Sequence, residues 1–148
     1  MEKVLNPKNE IVEIELNQLL LKVLEMKKAG LRFSQACAAW INDRYELSYS
    51  WVNNETFDLT TLRVYAGLET IVPSITELIP TAVFYENEMA EMYDVKIDMM
   101  NLDFKHRLYR LKEGLDAPLL PEDVREKSEA LKAGQREAAK EAEEKEAK

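Results

Sequence analysis

The sequence predicts an α+β fold: an antiparallel sheet of three to five strands with an N-terminal strand–helix unit and two short helices. An extended linker and a charged tail follow. Three observations carry this. Tyr45, Leu47, Tyr49 and Trp51 alternate with Glu46, Ser48 and Ser50, which is the period of a half-buried strand. Leu19, Leu20, Val23 and Leu24 recur at helical spacing, and after residue 97 neither period persists. The chain divides accordingly into an α+β domain over 1–97, an extended or partly helical segment over 98–121, and a Glu/Lys/Ala-rich tail over 122–148 that is helical or disordered.

In order, Ile11–Leu16 reads as a strand, with Val12, Ile14 and Leu16 opposite Glu13 and Glu15. Asn17 is placed to cap the next helix, its side-chain oxygen accepting a free backbone N–H. Lys27 and Lys28 suit the last helical turn, where they meet the negative end of the dipole, and Gly30 tolerates the left-handed closing residue. From Leu31 to Asp43 strand and helix compete, since Ser34 can cap an alanine-rich helix. The neighbouring strands favour the extended form, with Leu31, Phe33, Cys37 and Ile41 on one face. After Tyr45–Trp51, Asn53–Thr56 supplies turn chemistry. Phe57–Tyr65 returns as a strand whose apolar positions change parity near Thr60–Thr61, the mark of a bulge.

Helical patterning then takes over. Ser74-Ile75-Thr76-Glu77 matches a capping box, and Pro80 limits that helix to a turn or two. A second helix spans about Thr81 to Tyr93, and Val95–Ile97 reads as a short terminal strand. Phe104, Leu108 and Leu111 are spaced for one more amphipathic turn, and Asp116–Pro121 reads as a linker lying against something. The tail has only Val124 and Leu131 as larger apolar residues, too few for a coiled-coil seam. The body is therefore expected to fold without the residues after Pro121.

The chemistry is bounded by what is scarce. One cysteine excludes an internal disulfide and a thiolate cluster, one histidine excludes a histidine-rich metal site, and four glycines leave little for a phosphate-cradling loop. Cys37, among small apolar neighbours, is expected to be buried packing. The net charge of -8 argues against nucleic acid, whose phosphates require a basic surface. The N-terminus lacks the apolar core of a signal peptide, and no apolar run is long enough to span a bilayer. A soluble cytoplasmic protein is expected, held at any membrane only through other subunits.

The most informative stretch is Ala82–Asp94. At about 100° per residue, Tyr85, Met89, Met92 and Tyr93 gather on one side. Asn87, Glu88, Glu91 and Asp94 gather on the other, where acids are expected to be solvated. Glu86 falls on the edge of the apolar face, where a carboxylate needs a partner. Arg63 of the sheet is one candidate; an arginine or backbone group of another subunit is the other. No histidine and no second carboxylate-rich helix accompany these acids, so a di-metal or acid–base site is not expected.

Pro73-Ser74-Ile75-Thr76-Glu77-Leu78-Ile79-Pro80-Thr81-Ala82, followed by Glu86-Asn87-Glu88 and Glu91-Met92-Tyr93, resembles the signature of the complex I 30 kDa subunit family over roughly Ile11–Ile97. Asn87, Glu91 and Asp94 stand where that family has arginine, aspartate and glycine. Asp98–Asp103 replaces its Gly-His-Pro-x-Leu-Arg run. The chain is more similar to the equivalent small subunit of an Ech-type energy-converting nickel–iron hydrogenase, with a quinone-reducing complex as the alternative.

The resemblance implies a non-catalytic subunit of the hydrophilic arm, on the cytoplasmic side of the membrane. Its partners would be the hydrogenase large subunit, the iron–sulfur small subunit and a ferredoxin-like subunit. Nickel–iron and iron–sulfur groups would lie in those partners and none in this chain. Tyr85, Glu86, Met89, Met92, Tyr93, Leu119 and Leu120 are the expected interface residues. From another class, a free-standing α+β ligand-binding module remains open.

Overall fold

A computed structural model describes residues 6–146. Strand β1 (Asn9–Glu13) leads through a short 3-10 turn (Leu16–Gln18) into helix α1 (Leu19–Lys28). Strands β2 (Arg32–Ile41), β3 (Arg44–Val52) and β4 (Leu59–Ala66) follow. After β5 (Val72–Pro73) come helix α2 (Val83–Tyr93), strand β6 (Ile97–Asp98) and helix α3 (Glu122–Glu146). The main sheet has the order β1-β4-β3-β2, with β1 parallel to β4 and the other pairs antiparallel. Thus α1 carries the chain from one edge of the sheet to the other. Strands β5 and β6 form a separate parallel pair.

The alternation in β3 sets the core. Tyr45, Leu47, Tyr49 and Trp51 are at most 1% exposed. Leu62, Val64 and Ala66 of β4 and Ala36 and Ala38 of β2 join them on that face, where Leu19 and Val23 of α1 and Met89 of α2 close the core. Small side chains on β2 let α2 approach, and Phe33 packs edge-on against both Trp51 and Tyr85. The β2–β3 hairpin closes through Asn42 and Asp43, both with positive φ. These residues tolerate the two left-handed positions of such a turn better than most.

Several local expectations are corrected. In β2 the register shifts between Phe33 and Gln35. One extra residue flips every later side chain to the opposite face. Phe33 therefore shares the inner face with Ala36 and Ala38, while Cys37 and Ile41 point outward and Cys37 is exposed rather than packed. Burial of its surroundings still raises the Cys37 thiol pKa, opposed by Arg63. Strand β4 holds continuous register from Leu59 to Ala66, so no bulge lies at Thr60–Thr61. The apparent parity change arises because Phe57 sits in the preceding turn with φ of 60°. The 3-10 turn that leads into the first helix is capped by Glu15 and Gln18 acting reciprocally, and Asn17 lies inside that turn rather than capping the helix.

Gly30 ends α1 with φ of 72°, and a Cβ there would meet nothing within 4 Å. Gly30→Ala should therefore cost only backbone strain, about 1 kcal/mol in chemical denaturation. A much larger loss would mean that the glycine is needed for packing instead.

Candidate functional site

Helix α2 is the organising element. Its first turn is prepared by Pro80 at the start of the 3-10 turn Pro80–Ala82, where the missing N–H is harmless. Asp94 closes it in the left-handed conformation with φ of 57°. Tyr85 and Met89 turn toward the sheet. Tyr85 donates from its hydroxyl to the Ser34 carbonyl, and Met89 is 2% exposed.

Glu86 is completely buried. Its carboxylate accepts the Ile75 backbone N–H at 2.7 Å and the Ser74 hydroxyl at 2.5 Å. Burial pushes its pKa up, while these two donors pull it back. Arg63 is on the opposite face of the sheet, paired with Glu46 at 3.2 Å, so it is not the partner of Glu86. Nor does Ser74 cap a helix with Glu77. Residues 76–78 form a turn, and Glu86, twelve residues after Ser74, does the work expected of Glu77. Ser74 Oγ also accepts the Thr76 N–H at 3.1 Å.

The opposite side of α2 was expected to be solvated. Glu88 is exposed, but Asn87, Glu91 and Asp94 are 3%, 2% and 6% exposed. The segment after β6 lies over them. Asn87 donates to the Leu102 carbonyl at 2.9 Å and accepts the Phe104 N–H at 2.8 Å. Glu91 accepts the N–H groups of Leu108 at 2.7 Å and Tyr109 at 3.1 Å. Glu88 receives the Tyr109 hydroxyl at 2.7 Å, and the Leu119 N–H donates to the Met92 carbonyl. Residues 99–121 thus have neither helix nor strand, and Phe104, Leu108 and Leu111 form no amphipathic turn. The Phe104 and Leu108 N–H groups are met by α2 side chains instead.

Asp94 holds the tail. Its carboxylate receives the Ser128 hydroxyl and the Lys132 ammonium, the latter at 2.7 Å. Val124, buried to 4% exposure, sits in the core cluster with Ala117 and Leu120. The first third of α3 is therefore part of the folded body. A chain ending at Pro121 should lose roughly 2–4 kcal/mol of stability, because Val124 leaves its contacts and Asp94 loses both donors. An unchanged thermal midpoint would show that the body folds without the tail after all.

The expected interface residues fall into two groups. Glu86, Met89 and Leu120 are buried within the chain, at 0%, 2% and 4% exposure. Tyr85, Met92 and Tyr93 are half-buried, and Leu119 is 56% exposed. Reasoning from the sequence missed Asn87, Glu91 and Asp94 as internal anchors. Their signal was present: polar residues at helical spacing beside a long stretch with no periodicity of its own.

An open apolar groove of about 660 Å³ lies between α1 and the β5–β6 region, lined by Leu20, Leu21, Leu78, Met99 and Met100. Among the described residues, no group of three or more His, Cys, Asp or Glu side chains converges to hold a metal ion. No helix among them is long and apolar enough to cross a membrane.

Fold and site together define a class: an α+β platform whose central helix pins a long irregular strap against its own side. The chain belongs to the family of the respiratory-chain NADH dehydrogenase 30 Kd subunit, whose model matches residues 12–122. That match extends through the strap, beyond the α+β domain. Among solved structures it is similar to a chain of the membrane-bound sulfane sulfur reductase, an archaeal respiratory membrane complex. The TM-score is 0.65 at 17% identity, over 81% of this chain and 72% of the other. No curated protein matches it in sequence.

Proposed function

We propose that this chain is a non-catalytic buttress in the hydrophilic arm of a membrane-bound energy-converting nickel–iron hydrogenase. There it packs on the catalytic large subunit and the iron–sulfur small subunit, with a ferredoxin-like subunit as a further neighbour. The complex would couple ferredoxin-linked hydrogen metabolism to ion translocation from the cytoplasmic side of the membrane. Nickel, iron and clusters would sit in the partners, and this chain would reach the membrane only through them.

The observation that carries the reading is the strap. Residues 99–121 are fixed by Asn87, Glu91 and the Met92 carbonyl, yet present Met99, Leu102, Tyr109 and Leu119 outward at 44–82% exposure. A fixed backbone displaying large apolar side chains suits a surface completed by a partner. Asn87 and Glu91, two departures from the resembled family pattern, are the residues that grip this strap, and the strap also departs from that pattern. Anchor and anchored segment differ together, which supports a branch other than the NADH-quinone one. The family's description favours a second reading, the equivalent subunit of a donor–quinone complex.

Native mass spectrometry of the complex recovered on the tagged full-length chain separates these readings. A nickel-bearing subunit in that complex is expected. Quinone-reductase subunits without nickel would move the chain to the second reading. A lone chain turning over a substrate would overturn both.

A further inference from the structure

We propose that the ribbon Lys105–Lys112 is a docking surface for a carboxylate-rich face of a partner protein. Four of the chain's 20 Lys and Arg residues lie within these eight positions, together with its only His, and none of its 28 Asp and Glu residues do. Lys105 pairs with Asp103 at 2.7 Å. Among the described residues, Arg107, Arg110 and Lys112 form no ion pair within the chain, and all three are exposed. A molecule carrying a net charge of -8 thus concentrates unpaired positive charge in one short stretch.

The ribbon is also held in shape. Glu91, 2% exposed, grips the Leu108 and Tyr109 N–H groups from below, and Asn87 fixes the Phe104 N–H just before it. Lys105 and His106 both take left-handed backbone, with φ of 54° and 56°. That conformation is costly for such residues, and the Asp103 carboxylate steadies it by accepting the Lys105 N–H at 2.7 Å. Two of the free cations are arginines, whose planar forks match carboxylates in a fixed orientation. Leu102, Leu115 and Leu119, at 55%, 38% and 56% exposure, flank the ribbon in sequence with apolar contact area. A fluid layer of anionic lipid needs only flexible positive charge. A fixed backbone with arginines and flanking leucines favours a partner of fixed shape, with charge complementarity setting register and encounter rate.

This inference rests on the proposed function only in taking the chain to work inside an assembly. The test uses the full-length chain in its native complex. Zero-length carbodiimide cross-linking joins an amine to a contacting carboxylate. Cross-links are expected from Lys112 to Asp or Glu of another subunit, and their absence would overturn the proposal. The triple variant Arg107→Glu/Arg110→Glu/Lys112→Glu should reduce recovery of the complex about tenfold or more, and the corresponding triple Gln variant less. Unfolding of the isolated variants should stay unchanged, because these side chains are exposed. Full recovery of the reversed variant, or binding of the chain to phosphatidylglycerol vesicles but not to its co-purified subunits, would also overturn it. If the tagged wild-type chain recovers no subunits at all, the proposed function itself fails.

Discussion

Glu86→Ala should destabilise the fold by roughly 3–5 kcal/mol, since it strands a buried N–H, removes a charge-assisted bond to a buried hydroxyl and leaves a cavity. The Ile75 N–H and the Ser74 hydroxyl have the Glu86 carboxylate as their acceptor, and the residue is 0% exposed. The loss should appear as a lower midpoint in urea with an unchanged slope. The turn at 74–78 should exchange its amides faster than the sheet does. A variant as stable as wild type would show that the turn holds itself.

The same carboxyl predicts a pH dependence. Burial raises its pKa above the usual carboxylate range. A folded state that holds this proton more tightly than the unfolded chain is favoured by it below the unfolded value of about 4.3. That contribution is lost as pH rises through the raised folded pKa. Wild type should therefore lose stability relative to Glu86→Gln across that window, measured as paired denaturation curves from pH 4 upward. Parallel curves would mean that the two donors fully offset the burial.

Glu91→Ala should release the strap. The carboxylate grips two successive N–H groups, and charge-assisted bonds of this kind are worth about 1.5–3 kcal/mol each. A loss of roughly 3–6 kcal/mol is expected, concentrated in residues 105–115 rather than in the sheet. Hydrogen exchange should show the Leu108 and Tyr109 amides losing protection while the β3 amides keep theirs. The Asn87 bonds to Leu102 and Phe104 remain in this variant, so detachment should begin after Phe104. Protected amides at 108 and 109 would refute the grip. Assembly should fail in the same variant if the strap is the docking surface, because a loose ribbon must be ordered again on binding.

Much of the fold was legible because it depends on period. The alternation in β3 placed Tyr45, Leu47, Tyr49 and Trp51 in the core, and Gly30 marked the end of α1. The turn at Asn53 formed as its chemistry required, with the Asn53 side chain accepting the Glu55 and Thr56 N–H groups. Cys37 was misplaced because a single unpaired residue near Ser34 reverses the face of everything after it. Composition does not display such a slip in an alanine-rich strand, where both faces look alike.

The candidate site was less legible, since an acid on a helix looks the same whether water or a backbone N–H meets it. Glu86 was singled out correctly as a carboxylate in need of a partner. Its partners proved to be a local turn rather than Arg63, a choice that sequence distance cannot make. Glu91 and Asp94 were assigned to solvent because their own helix does not show that another segment will cross over them; the signal lay in the aperiodic stretch that follows.

What the sequence by itself determined is the α+β platform, since alternating and helical patterns specify which faces must leave water. Only the tertiary structure decided that α2 is polar on its far side in order to hold residues 99–121 and the start of α3. The reason is physical: burial of apolar faces is written in local period, whereas satisfaction of a strap's backbone donors depends on which carboxylates lie close in space.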